Sequence, residues 1–389
     1  MPVDSALQQR AIDGFRQHAG RDPQWLTYAP GRVNLLGDHA DYNQGWALPC
    51  AIPFGSIVAM APRVDGRVRV VALDLANSVD EFAMASLQPL PAGSWANHVR
   101  GVFAALQQGD SAARLSGGFD LVLAGNVPQG AGLSSSTSLS VAVAIGLFQS
   151  LGVREPEPLQ LAQLVEGSER RYAGYHRGVI DPLVSMTARG GHATLVNCAT
   201  LERRAVPLPQ GSSVLIVHSG VQQGSADAAA EERRRECETA AEVLGAASLR
   251  ELTLAQLLEK EPELEPRLVR RARHVITENS RTVAAAEALG RNDLALLGTV
   301  MAESHASLRD DFEVTLPELD DLADAMQEAM GGKGGVRMTG TGFGGCLVAV
   351  VATAAVPMLR TTIQNHFRAV RKAVPFMTVV QPAHGARRL

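Results

Sequence analysis

Between Ala29 and Pro49 the chain reads APGRVNLLGDHADYNQGWALP, which crowds Arg32, Asp38, His39, Asp41, Tyr42 and Asn43 into one short stretch. Carboxylate, imidazole, phenol and amide groups at this density can meet the several hydroxyls of a sugar. A cationic Arg beside them suits a migrating phosphoryl group. The same residues can also form a polar turn held by caps and local ion pairs.

A second stretch, GNVPQGAGLSSSTSLS from Gly125 to Ser140, places glycines ahead of a run of hydroxyl residues. Where Gly130, Ala131, Gly132, Leu133, Ser134, Ser135 and Ser136 open a helix, backbone N–H groups and the helix dipole can hold phosphate oxygens. No Lys follows the glycines, so this is not GxxxxGK[ST]. A turn with an N-cap explains the segment equally well. The third stretch, GGVRMTGTGFGGCLVAV from Gly334 to Val350, is a Gly-rich loop entering a strand. It can lie against a phosphate or form a tight hairpin.

The elements that must carry these residues follow from apolar spacing. Residues 5–18 read as a helix, and Tyr28 to Gly31 as a loop where Pro and Gly break the pattern. Strands are predicted at Ala47–Ala61, Arg67–Leu73, Phe119–Ala124, His192–Asn197, Val214–His218 and Cys346–Val351. Helices are predicted at Asn97–Gln107, Ser134–Leu151, Leu159–Tyr172 and Gly178–Thr187. Residues 228–329 read as mostly helical, with breaks near Gly245, Pro262, Gly290 and Pro317. The tail QPAHGARRL reads as loose.

A chain of 389 residues, 46% apolar and 20% charged, supports a substantial core and two packed lobes. Lys and Arg number 36 against 40 Asp and Glu, a net charge of -4, so a nucleic-acid partner is not indicated. Arg233, Arg234, Arg235 and Arg270, Arg271, Arg273 alternate with acids and read as solvated helix faces. Cys50, Cys198, Cys237 and Cys346 form no CxxC pair, and no HExxH spacing occurs. With no uncharged apolar run of membrane length and no signal-peptide pattern, neither a membrane partner nor export is expected, and the location expected is cytoplasmic.

In this order and spacing, the three stretches resemble the galactokinase branch of the galactokinase, homoserine kinase, mevalonate kinase and phosphomevalonate kinase superfamily. WANHVRGV (Trp95 to Val102), HVITENSRTV (His274 to Val283) and MAESHASLRDDFEVT (Met301 to Thr315) extend the resemblance over nearly the whole chain. It implies a two-lobed α+β protein with a left-handed βαβ unit and an active-site cleft between the lobes. Residues 1–205 would form the lobe with the sugar motif and phosphate loop, and 206–389 the lobe with the helical segment and third motif. The implied reaction is ATP-dependent phosphorylation of galactose at its anomeric hydroxyl, with Mg²⁺. Arg32 matches the transition-state stabiliser and Asp181, in GVIDPLVSM, the catalytic aspartate. Ser136 and Glu169 match the Mg²⁺ ligands, and Gln129 to Ser136 the phosphate loop. Asp38, His39, Ala40 and Asp41 match the sugar cluster, with Gly178 nearby. On their own residues, Asp181 could cap a helix before Pro182, and Glu169 could pair on a surface with Arg170 or Arg171. Trp95 lies near the adenine or anchors its own helix.

The chain departs from the pattern around the sugar. Asp38 stands where most members have Glu, retracting a carboxylate by ~1.5 Å. Ala40 replaces Thr, Pro182 replaces Gln, Thr341 replaces Gly, and Ala230 falls at a sugar-contacting Tyr. Asp227 or Gln223 could replace that contact. These changes keep open another galacto-configured sugar, such as L-arabinose, galacturonate or N-acetylgalactosamine. A non-catalytic sensor of sugar and ATP is disfavoured, because Thr137 and Ser138 are present where such sensors can lack two residues.

Overall fold

The computed structural model describes residues 3–108, 115, 117–174, 178–221, 226–370 and 376–389. Its framework is a sheet ordered Arg387–Arg388, Trp25–Asn34, Pro49–Arg63, Gly118–Gly125, Arg67–Ala72, Ser78–Ala83. Neighbours pair antiparallel except Arg67–Ala72 with Gly118–Gly125, which run parallel. The strand Pro49–Arg63 lies in the interior of the sheet and is buried along most of its length, as an almost unbroken apolar run requires. A second sheet, Gly334–Thr339, Cys346–Ala352, Ser212–His218, Met377–Val380, carries the C-terminal half.

The helix Ser135–Ser150 is apolar nearly all round, so it packs in the interior of the N-terminal half with Val141 to Leu147 buried. Thr27 fixes it to the first strand, its hydroxyl donating to the Ala142 carbonyl at 2.8 Å. The helices of the C-terminal half pack Leu308, Phe312, Leu319 and Leu322 against Leu347, Ala349 and Val351 of the second sheet.

Several expectations need correction. Tyr28 to Gly31 is strand, not loop: it lies within Trp25–Asn34, whose register shifts between Pro30 and Arg32. A bulge accommodates a Pro that cannot donate to the ladder. The strand expected from Ala47 is divided, because Trp46–Ala47 pairs with His192–Asn197 in a small third sheet before Pro49–Arg63 begins. Residues 334–335 are the start of a strand, and the helix Val356–Ala369 escaped the periodicity reading. The C-terminal tail is not loose. Its backbone amides at Ala383, Gly385, Ala386 and Leu389 donate to the carbonyls of Ala51, Ala188, Ser185 and Leu26.

The arginine clusters are only partly solvated. Arg271 is 1% exposed, bonding Glu236 at 2.7 Å and Glu313 at 2.6 Å, and Arg233 is 9% exposed. Of the interleaved acids, Glu236 turns inward and joins Arg233 of Ala226–Val243 to Arg271 of Pro266–Gly290, and the two arginines donate to the Phe312 and Asp311 carbonyls in the segment after Leu294–Asp310. Among the described residues, no helix is long and apolar enough to cross a membrane.

Candidate active site

Arg32 sits just past the bulge, and the bulge leans on the Gly/Ser loop. Its backbone N–H donates to the Leu133 carbonyl at 3.2 Å, and a Cβ on Gly31 would come within 2.5 Å of that oxygen, so only glycine allows the approach. The guanidinium donates from NH1 to the Gly132 carbonyl at 2.8 Å, and from Nε and NH2 to the two oxygens of Asp181, each at 2.7 Å. Asp181 lies in the first turn of Ile180–Thr187, where the following Pro182 is tolerated. Its carboxylate turns to Arg32, and Ser185 pins the helix to the bulge by donating to the Pro30 carbonyl at 2.7 Å.

Ser134 occupies the N-cap position of Ser135–Ser150 in a left-handed conformation, φ 58°, yet makes no capping bond. Its hydroxyl donates instead to Asp181 Oδ2 at 2.7 Å. Side-chain capping is absent, so the first amides of the helix remain available to an anion. Ala131 and Leu133 are buried with Val33 and Ile52, anchoring the loop, while Gly130 and Gly132 supply positive φ.

In the stretch 37–46, Gly45 N–H donates to the Ala40 carbonyl at 2.7 Å and closes a compact loop. Asp38 is 3% exposed; its Oδ2 accepts from Arg337 at 2.6 Å, and its Oδ1 from Asn34 at 2.7 Å and Gly340 N–H at 3.2 Å. His39 has φ 62°, bonds Tyr42 through Nδ1 at 3.0 Å and lies 4.8 Å from the Phe312 ring. Burial lowers its pKa to about 4. Asp41 is raised to about 6, first by burial and then by the Asp181 and Asp38 charges, against the Tyr42 amide and Arg32. Ala40 is buried inside the loop, and a Cβ on Gly178 would stand 3.7 Å from Asp41 Oδ2.

Two cavities flank the helix N-terminus. Arg32, Asp38, His39, Asp41, Ser134 and Asp181 line one of about 390 Å³. Trp95, His98, Gln129, Ser135 and Ser136 line the other, of about 660 Å³. Trp95 thus lines the second cavity, and it also bonds Ser78 at 3.3 Å. Glu169 is not a surface residue paired with Arg170 or Arg171. It is buried, accepting from Ser140 at 2.9 Å and Thr137 at 3.4 Å, with His98 Nδ1 at 3.6 Å. Its first oxygen partners are therefore hydroxyls of the helix whose N-terminus divides the cavities.

The third motif forms a hairpin between antiparallel strands, and its tip brings Gly340 and Thr341 to the wall of the smaller cavity. Ala230, Arg234 and Arg235 line that wall from Ala226–Val243. Gln223 and the Asp227 side chain lie outside the described residues. Sequence reading missed Asn34 and Gly340 as wall residues, though both lie inside motifs it had marked; Tyr42, singled out in the first motif, is on the wall as well.

Comparison with known proteins adds three family matches: a galactokinase galactose-binding signature over residues 13–62, and the N-terminal and C-terminal domains of GHMP kinases over 97–189 and 285–365. A crystal structure of Lactococcus lactis galactokinase complexed with galactose superposes with a TM-score of 0.92 at 30% identity, covering 98% of this chain and 100% of that one. The chain belongs to the galactokinase family. It is accordingly an ATP-dependent sugar kinase of the GHMP type. The wider GHMP fold is shared with Methanococcus jannaschii mevalonate kinase, TM-score 0.63 at 16% identity over 92% of this chain and 98% of that. Streptococcus pneumoniae phosphomevalonate kinase in complex with phosphomevalonate and AMPPNP gives 0.62 at 15%, over 91% and 99%. Against the galactokinase pattern, Asp38, Ala230 and Thr341 are the departures that fall on the wall of the smaller cavity.

Proposed function

We propose that the protein transfers the γ-phosphoryl of ATP to the anomeric hydroxyl of galactose, yielding galactose 1-phosphate and ADP, in the cytoplasm. One observation carries this reading: the adjacent residues Ser134 and Ser135 line different cavities, so a helix N-terminus suited to phosphate stands between them. A sugar in the smaller cavity meets Asp38, His39, Asp41 and Asp181. A nucleotide in the larger one meets Trp95 and Ser136. The four cysteines are free, which suits a reducing compartment.

Among the described residues, Asp181 Oδ2 accepts from Arg32 and Ser134, and Oδ1 from Arg32 alone, so Oδ1 keeps room for the anomeric hydroxyl. As the sugar O–P bond forms and the bond from the γ-phosphorus to its bridging oxygen breaks, the hydroxyl proton moves to Oδ1 and ADP departs with the electron pair. Arg32 holds the carboxylate in place and stabilises charge on the transferring group. Glu169 and Ser136 would hold Mg²⁺; one buried carboxylate among hydroxyls fits an ion that takes few protein ligands and completes its shell with water and phosphate. When bound, the ion offsets phosphate charge.

ADP release with MgATP, measured across galactose, 2-deoxygalactose, N-acetylgalactosamine, galacturonate, L-arabinose and glucose, tests the proposal. Galactose should turn over fastest and glucose poorly. Asp38 and Ala230 make the other galacto-configured sugars the informative competitors. Preference for one of them would replace the substrate and keep the reaction, and no ADP release with any sugar would refute both.

A further inference from the structure

Beneath the sugar loop lies a side chain that lines neither cavity. Arg337, on Gly334–Thr339, is completely buried. Its NH1 donates to Asp38 Oδ2 at 2.6 Å, and its NH2 stands 3.9 Å from Glu278 Oε1. Glu278 is also completely buried. Its Oε1 accepts from the Gly37 amide at 3.0 Å and Ser304 at 2.8 Å, and its Oε2 from Arg281 at 2.8 Å. The next residue, Asn279, accepts from the Trp46 amide at 2.9 Å. Consecutive residues of Pro266–Gly290 thus grip both ends of the loop that presents Asp38, His39 and Asp41.

Asp38 and Glu278 balance Arg337 and Arg281, giving a buried cluster with no net charge. Such a cluster adds little stability over apolar packing of the same volume, but removing one partner leaves a charge without compensation. Its geometry has a further consequence at Asp38. Arg337, Asn34 and Gly340 take three of the roughly four acceptor positions of that carboxylate. One acceptor position is left for a ligand hydroxyl, and its direction is set by the three bonds behind it.

We propose that Arg337 and Glu278 are positioning residues for sugar recognition: through Asp38 and the Gly37 amide they aim the acceptor that the sugar meets, without touching the sugar. The inference rests on the sugar-kinase reading above. The helical stretches around Glu278 and Ser304, which that reading leaves without a role, acquire one here.

Steady-state kinetics of Arg337→Met, Arg337→Lys, Glu278→Gln, Asp38→Asn and the Arg337→Met/Asp38→Asn double variant test it. The sugar KM should rise about 10- to 100-fold in the Arg337 variants, the size of effect seen when outer-shell partners of metal ligands are lost, while the ATP KM stays at its wild-type value. The double variant should be no worse than the poorer single one. A sugar KM unchanged in soluble Arg337 variants, or fully additive effects in the double variant, would overturn the proposal. Insoluble Arg337 variants move the decision to Asp38→Asn and Glu278→Gln, and wild-type sugar KM in both overturns it. The wild-type protein is the control for the reaction itself. If it prefers another sugar, the same comparison is made with that sugar; if it phosphorylates none, the sugar-kinase reading fails and this inference falls with it.

Discussion

Arg32 and Asp181 are joined by two parallel hydrogen bonds of 2.7 Å, Nε to Oδ1 and NH2 to Oδ2, across 149 positions of sequence. The bidentate fork fixes both planes at once, which a Lys ammonium cannot do. Asp181→Asn turns an amide donor toward that fork and removes the proton acceptor. Its kcat should fall about 10²- to 10⁴-fold, the range for a lost general base, with little change in ATP KM. Arg32→Lys should also lower kcat despite the retained charge. Initial rates at varied ATP and sugar check both, and unchanged kcat in Asp181→Asn would remove the residue from the chemistry.

Asp41 makes the sugar site sensitive to pH. Its folded pKa of about 6 exceeds the ordinary value of 3.8, so between these the folded chain binds more protons than the unfolded one. Stability contributed at this position is therefore present below pH 4 and is lost as pH rises toward 6. Asp41→Asn should raise the Tm at pH 7.5 and leave it almost unmoved at pH 4. The sugar KM of the wild type should fall as pH rises through 6 and the carboxylate ionises, and this dependence should vanish in the variant. A variant less stable than wild type at pH 7.5 contradicts the argument.

Much of this site was legible because its residues are grouped locally. Asp38, His39 and Asp41 share one loop, and the Gly/Ser stretch announces a helix start through glycines and hydroxyls. What sequence could not reveal is long-range pairing. Nothing local marks Arg337 as the partner of Asp38, or Ser134 as a ligand of Asp181 rather than a cap. The fold was readable where apolar runs were long, as at Ser135–Ser150. It was misread at Pro30 and Gly31, where a bulge mimics a loop, and at the tail, whose order comes from backbone bonds that composition does not encode.

His39 and His274 lie against Phe312, their rings 4.8 and 4.5 Å from its centroid. Burial depresses both, to about 4 and about 3. Below the ordinary value of 6.5 the unfolded chain therefore takes up protons that the folded chain refuses, so stability falls as pH drops from 6.5 toward 4. Asp41 acts in the opposite sense over part of this range, so each effect is read as a difference from its own variant. His274→Gln should flatten the acid-side slope of unfolding free energy by about one proton, ~1.4 kcal/mol per pH unit. Urea titrations from pH 4.5 to 7.5 give that slope, and identical slopes would mean that His274 is protonated in the folded state.

The last residues brace the catalytic pair from behind. Ala386 and Gly385 donate to the carbonyls of Ser185 and Ala188, at the end of the helix that carries Asp181. Leu389 donates to Leu26, and Arg387 and Arg388 pair with Tyr28 and Thr27 on the strand that carries Arg32. The tail therefore bridges the two elements whose relative placement sets the fork. Removing residues 382–389 should lower the Tm and also reduce kcat, because each lost hydrogen bond contributes ~0.5–1.5 kcal/mol and both supports loosen together. Restoring the Tm with saturating ATP should leave the kcat deficit in place. A truncated protein with wild-type kcat would show that the fork holds its geometry unaided.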